Sequence, residues 1–371
     1  MNRKENPLFY IDQYPIGPNQ PVFIIAEAGV NHNGQLKLAL ELVNAAAQAG
    51  ADCVKFQTFH GGDLVTSNGK MAVYQEKNLG VSKSQKEMLE DLALPEEFYS
   101  KIITQCAKRH ILFISTPHGG FDSVALLEKF PIHAYKLGSG DLTNLPLLTH
   151  IASLGKPMIV STGMGTLAEI NEAVESVEKT NNRQLVLLHC TSNYPCALDD
   201  VNLAAMQTMM KKFKYPIGYS DHTIVSQVPE YAALLGATVI EKHITTNRKI
   251  PGPDQVNSLE PDEFRDMVES IRRVEGLTTS RRKETTKLIP PQILGSPIKR
   301  PNKLEKEIAA QVRKSLVYTT DLPQGHVLNR GDLDIKRPGL GLAPKILYNT
   351  LGRRLKRKVK ADTLVTSQDL E

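Results

Sequence analysis

The chain has 371 residues, of which 41% are hydrophobic and 23% charged, with a formal net charge of +5. That balance suits one large globular domain plus a small one, and it excludes a disordered or fibrous chain. No stretch approaches the roughly 18 apolar residues of a membrane span and Met1 to Gln20 holds no apolar signal core, which points to a cytoplasmic protein without a membrane partner.

Taken in order, a strand at Val22 to Ala26 ends at Glu27, and a helix follows over Leu36 to Ala49 with apolar residues at helical spacing. The second strand, Cys53 to Gln57, leads into a long polar stretch from His60 to Asp91, a length that suggests a lid. A helix over Pro95 to Arg109 precedes the third strand, Ile111 to Thr116, and a short helix near Phe121 to Lys129 precedes the fourth, His133 to Leu137. The fifth strand, Pro157 to Ser161, is followed by a helix opened by a capping box at Thr166 and Glu169. The sixth strand runs from Gln184 to Leu188. The seventh and eighth form a strand, helix, strand unit from Pro216 to His243, closed by a helix at Pro261 to Glu275. Eight alternations in this length predict a (β/α)8 TIM barrel over residues 1–280.

Polar groups recur where these strands end: Glu27, Lys55 with Gln57, Thr116, Lys136 with Ser139 and Asp141, Ser161, His189, Ser220 with His222, and Glu241 with His243. In a barrel such positions converge on one mouth, where active sites lie. His222 and His243, each beside an acid, end neighbouring parallel strands and are the candidate metal ligands. Lys55, Lys136 and the hydroxyls suit a compact anion bearing phosphate or carboxylate. Together these groups point to a metal-assisted reaction joining a phosphorylated acid to a carbonyl compound. The four cysteines (Cys53, Cys106, Cys190, Cys196) make no CxxC pair and fit reduced thiols.

Several ordered segments resemble the sialic acid synthase family: Phe23 to Gly34, Gly50 to Gln57, Ser115-Thr116-Pro117, Tyr135 to Asp141, Ser161 to Met164, His189 to Ser192, Ser220 to Thr223, Glu241-Lys242-His243 and Pro251 to Asp254. The resemblance implies condensation of phosphoenolpyruvate with the open-chain aldehyde of N-acetylmannosamine, giving N-acetylneuraminate and phosphate. The alternative is the same reaction on a 2,4-diacetamido-trideoxy hexose, giving N,N'-diacetyllegionaminate. It implies that Glu27 and Glu241 are the catalytic carboxylates and that Lys55, Thr116, Lys136, Ser139, Ser161, Ser192 and Ser220 hold phosphoenolpyruvate. Gln57, Asp141, Tyr194, Asp254 and Arg337 would contact the sugar. His222 and His243 would bind a divalent ion, Mn2+ first, with Mg2+ or Co2+ as alternatives. Ser192 stands where makers of N-acetylneuraminate often have Asn, and Asp141 where some members have Glu.

Residues 281–306 are polar and rich in Lys, Pro and Thr, and read as a linker. Beyond it, Leu322 to Leu333 can be laid over Val359 to Leu370 with the Asp-Leu pairs in register, which predicts two similar halves of a small, mainly β domain over 307–371. This tail resembles the SAF (antifreeze-like, β-clip) domain of the same family, which implies a homodimer in which Arg337 completes the partner's sugar site. The tail is basic, but no aromatic residues interleave with the charges of Arg353 to Lys358, so nucleic acid is not an expected partner. Two other readings are a lysine aldolase using a Schiff base at Lys55, Lys136 or Lys242, and a carbohydrate- or ice-binding module acting through the tail.

Overall fold

Runs of β-branched and apolar residues bounded by Gly and polar turns fold into eight parallel strands, which close in sequence order. In the computed structural model, which describes residues 8–67, 69, 71 and 84–371, they are β3 (Phe23–Gly29), β4 (Cys53–Thr58), β5 (Leu112–Pro117), β6 (Tyr135–Leu137), β7 (Met158–Ser161), β8 (Leu185–Cys190), β9 (Ile217–Asp221) and β10 (Val239–His243). β10 pairs with β3 and closes the barrel. Helices at the expected places cover it, among them Leu36–Gln48, Glu96–Lys108, Leu167–Glu178 and Pro261–Glu275. Thr166 and Glu169 make the predicted capping box. Among the described residues no helix is long and apolar enough to cross a membrane. Residues 68, 70 and 72–83, which make up much of the stretch expected to act as a lid, lie outside the described residues. The flanks of that stretch carry the helices Gly61–Leu64 and Gln85–Leu92.

Strand side chains alternate between the helix layer and the barrel interior. Ile24, Ala26, Val54 and Phe56 pack under the helices. Phe23, Ile25, Cys53, Ile114, Ala134, Ile159, Val186, Leu188 and Val239 share a separate inner core. Two residues further along the same inward rows stand Glu27, Lys55, Thr116, Lys136, Ser161 and Glu241. Each inward row is thus apolar at the floor and polar or charged at the mouth.

A short antiparallel hairpin not foreseen from the sequence, β1 (Phe9–Ile11) with β2 (Tyr14–Ile16), seals the floor. Its Phe9, Ile11 and Ile16 are buried in the inner core, and Tyr14 meets Phe23 edge to face.

The segment 281–306 holds more structure than its polar composition suggests. It contains parts of the helices Thr279–Thr286 and Lys303–Val312 and all of Pro291–Leu294, and Ile289 and Ile293 bury their side chains in the outer core of the barrel. After it, β11 (Ser315–Tyr318) pairs with β12 (Leu333–Lys336) in a small domain with its own core. The internal repeat is real in physical terms. Asp332 accepts the Asn329 amide, and Asp369, at the matching place, accepts the Thr366 amide. Leu333 and Leu370, the next residues, are both buried in that core, and Leu322 and Val359, at the starts of the two halves, pair directly.

Candidate active site

The mouth is a cleft lined by Glu27, Lys55, Gln57, Lys136, Ser139, Ser161, Ser192, Tyr194, Ser220, His222, Glu241, His243, Asp254 and Arg337. Parallel pairing explains part of this convergence: Glu27 lies opposite Lys55 and His243, and Glu241 lies opposite Ser220.

Four buried charges form the centre. Lys55 Nζ stands 3.0 Å from Glu27 and 3.4 Å from Glu241, and Lys136 Nζ is 3.3 Å from Glu241. Burial opposes the charge on Lys55, but Glu241 and Glu27 outweigh it and raise its pKa. Burial prevails at Lys136, whose pKa falls. Burial also opposes the charge on Glu241, yet Lys136 and Lys55 hold its carboxyl well below the usual range. The hydroxyls complete a polar ring. Ser220 donates to Glu241 at 2.9 Å, Lys136 donates to Ser161 at 2.8 Å, and Lys55 reaches Thr116 at 3.4 Å. A ring with two ammonium groups and three hydroxyls can hold a small anion that carries more than one negative group.

The histidines face each other with ring centroids 5.6 Å apart. His222 Nδ1 lies 2.8 Å from the Thr191 carbonyl, which only accepts, so this nitrogen carries the proton. Nε2, 2.8 Å from the Tyr194 hydroxyl, is then the nitrogen that bears the lone pair whenever the ring is neutral. Burial, with the His222 and Lys55 charges, pushes His243 well below the usual imidazole value, and its Nδ1 is buried without a hydrogen-bond partner. Two buried imidazoles with ring nitrogens to spare fit a divalent ion. No group of three or more His, Cys, Asp or Glu donors forms among the described residues.

Asp254 lies beside this centre. Burial, and then the charge of Glu27, pushes its pKa up to about 6.

Asp141 is placed differently from the expectation that it contacts the sugar. It bonds Asn144 and lies 3.1 Å from Lys314, a wholly buried ammonium at the start of the small domain. His118, unremarked in the sequence, lines the cleft beside it. Arg337, expected to complete a sugar site, lines the mouth of the barrel of its own chain. It is held there by backbone hydrogen bonds to Leu64 and Thr66, while Lys336 donates to the Gly62 carbonyl and Ser67 to Asp362. Lys242 faces away from the cleft. Its Nζ is buried against Asp221, Thr223 and Val225, which occupy it fully and remove it as a Schiff-base candidate.

An apolar surface meets this polar ring. Val30, Leu64, Met88, Leu89 and Leu92 belong to one cluster and line the cleft. Ile308 and Val312 of the Lys303–Val312 helix add to it.

Comparison with known proteins agrees with this geometry. The N,N'-diacetyllegionaminic acid synthase of Legionella pneumophila is 42% identical over 100% of this chain and 99% of its own length. The enzyme of the same name from Campylobacter jejuni is 39% identical over 92% of this chain and 98% of its own. The crystal structure of the spore coat polysaccharide biosynthesis protein SpsE of Bacillus subtilis superimposes with a TM-score of 0.85 at 31% identity, covering 98% of this chain and 99% of that one. Residues 42–283 match the NeuB family and residues 313–371 the SAF domain. The chain belongs to the NeuB family of phosphoenolpyruvate-dependent, carbon–carbon bond-forming synthases and ends in a SAF domain.

Proposed function

We propose that the chain condenses phosphoenolpyruvate with the open-chain aldehyde of a 2,4-diacetamido-trideoxy hexose, giving N,N'-diacetyllegionaminate and phosphate. N-acetylmannosamine, the first expectation from the sequence, gives way to this sugar. The observation that carries the choice is a cleft with a polar ring against an apolar cluster. A second acetamido methyl and a deoxy carbon present apolar surface where N-acetylmannosamine presents hydroxyls, and Val30, Leu64, Met88, Leu89 and Leu92 give that surface a partner. The names of the Legionella and Campylobacter relatives support the same choice.

Lys55 and Lys136, with Ser139, Ser161, Ser192, Ser220 and Thr116, hold the carboxylate and phosphate of phosphoenolpyruvate. Glu241 lies between the two lysines, favours the charged form of each, and turns the Ser220 hydroxyl into place. Glu27, paired with Lys55 and accepting from Gln57 at 3.0 Å, is placed to take a proton as water adds to the condensing carbon. Asp254, Gln57, Tyr194 and Arg337 orient the sugar, whereas Asp141 acts through Lys314. His222 and His243 would hold a divalent ion, Mn2+ first, which when bound polarises the aldehyde. Exchange of the SAF domain between two copies would deliver Arg337 through the same contacts as within one chain, so the homodimer implied by the resemblance is compatible with this placement. Four buried free thiols support a reducing, cytoplasmic setting.

The test is phosphate release and product mass from chelator-stripped protein given phosphoenolpyruvate with each sugar, with and without Mn2+. Metal-dependent product from the diacetamido sugar, at least tenfold above that from N-acetylmannosamine, is expected. Preference for N-acetylmannosamine would refute the choice of sugar. Trapping of a keto acid by borohydride without metal would favour the Schiff-base reading through Lys55 or Lys136.

A further inference from the structure

Four charged side chains from the segment joining the two domains run into the barrel mouth. Lys299 donates to the Cys190 carbonyl at 3.3 Å, Arg313 bonds Glu169 and the Met164 carbonyl at 2.7 and 2.8 Å, and Lys314 pairs with Asp141. The fourth, Glu305, is 3% exposed and, among the described residues, has no cation in hydrogen-bonding contact.

Its two oxygens divide their work. Oε2 accepts the Asn302 amide at 3.1 Å and closes the capping box of its own helix. Oε1 accepts two amides of the barrel, Met164 at 2.8 Å and Ser192 at 3.0 Å. These amides belong to the loops after β7 and β8, which are not neighbours in sequence. Met164 is a non-glycine residue in the left-handed region, φ 58°, a conformation that persists only where its surroundings hold it. Just before it, the Gly163 amide donates to Ser139 Oγ at 2.9 Å. A methyl group at Gly163 would come within 2.1 Å of Ser192 Oγ and 2.7 Å of Ser139 Oγ. Both hydroxyls therefore close on the turn whose next amide Glu305 grips.

We propose that Glu305 is a positioning residue of the reaction: through the Met164 and Ser192 amides it sets the Ser139 and Ser192 hydroxyls that receive phosphoenolpyruvate. The inference rests on phosphoenolpyruvate binding in this mouth. Loss of the carboxylate leaves two buried amides without an acceptor and Met164 held only by Arg313 at its carbonyl, so both loops relax together. The aldehyde side of the cleft is coupled to Glu305 less directly, through His222, whose Nδ1 bonds the carbonyl of the same Thr191–Ser192 peptide at 2.8 Å.

Titration calorimetry with phosphoenolpyruvate alone, followed by steady-state kinetics, separates the possibilities on the full chain. Glu305→Ala should weaken phosphoenolpyruvate binding and raise its KM at least tenfold, with a several-fold smaller rise in the KM of the sugar. Glu305→Gln keeps a carbonyl oxygen for the two amides and should recover most of the loss, and it stands in if the alanine variant does not fold. Lys345→Ala, which breaks only the exposed contact with Glu172, should match the parent. Unchanged phosphoenolpyruvate affinity in a folded Glu305→Ala protein, or equal losses for both substrates, would overturn the inference. A parent chain that binds no phosphoenolpyruvate would instead overturn the functional reading on which it rests.

Discussion

Replacing Lys314 with methionine probes the join between the two domains. The Lys314 side chain is fully buried and that of Asp141 is 3% exposed, with 3.1 Å between them, and Lys314 also donates to the His118 carbonyl at 2.6 Å. Burial lowers the lysine's pKa even with Asp141 beside it. For Asp141 burial works against ionisation, but Lys314 and His118 hold its carboxyl well below the usual range. The two shifts bear oppositely on the pair, so its net value is small, whereas removing one member strands a buried charge. Lys314→Met should therefore cost about 3 to 5 kcal/mol, read as a lower urea midpoint with fluorescence and circular dichroism followed together. Adding Asp141→Asn should restore most of it, giving a coupling of the size expected for residues in contact. Because the folded carboxyl is depressed, the stabilisation it carries is present above the ordinary aspartate pKa and is lost as pH falls through the lower folded value. A Lys314→Met protein within about 1 kcal/mol of the parent at pH 7 would refute a buried pair.

Other expected outcomes are as direct. His243→Ala should lower Mn2+ affinity by at least about tenfold in a titration monitored by electron paramagnetic resonance, since it removes one of two protein donors. Lys136→Met should reduce kcat/KM for phosphoenolpyruvate by about a hundredfold or more, the scale of a lost buried contact to a charged substrate. With Asp254 raised to about 6 by burial and Glu27, kcat/KM for the sugar should fall below that pH as the carboxylate is protonated. Asp254→Asn should lower the plateau and abolish that limb. The same raised value means that ionised Asp254 works against folding, a cost relieved as pH falls from above 6 toward the ordinary carboxylate value.

The barrel was legible because period-two alternation and strand-end polar residues are local patterns. Glu27, Lys55, Lys136, Ser220 and Glu241 are found together because the spacing from each strand's apolar core to its polar end is nearly constant. Asp141 read equally well by that rule. Its diversion to Lys314 depends on a contact between residues 173 positions apart, which no local pattern carries. The same holds for Arg337, whose place is set by backbone bonds to Leu64 and Thr66. The helix at Lys303–Val312 did have a signature, Asn302 followed three residues later by Glu305, but the polar composition around it reads as a linker. Nothing local announced that the capping glutamate spends its other oxygen on the barrel.

The hairpin from Phe9 to Ile16 makes the barrel a cul-de-sac. With the floor closed by Phe9, Ile11 and Ile16, the described residues leave the mouth as the way into the barrel. Lys55, Lys136 and Glu241 sit on the strands, whereas the apolar cluster belongs to the loops and short helices above them and Arg337 to the second domain. On the proposed function, phosphoenolpyruvate would bind deeper than the sugar and therefore ahead of it. On that reading, eight residues at the far end of the barrel make the order of entry and exit follow depth.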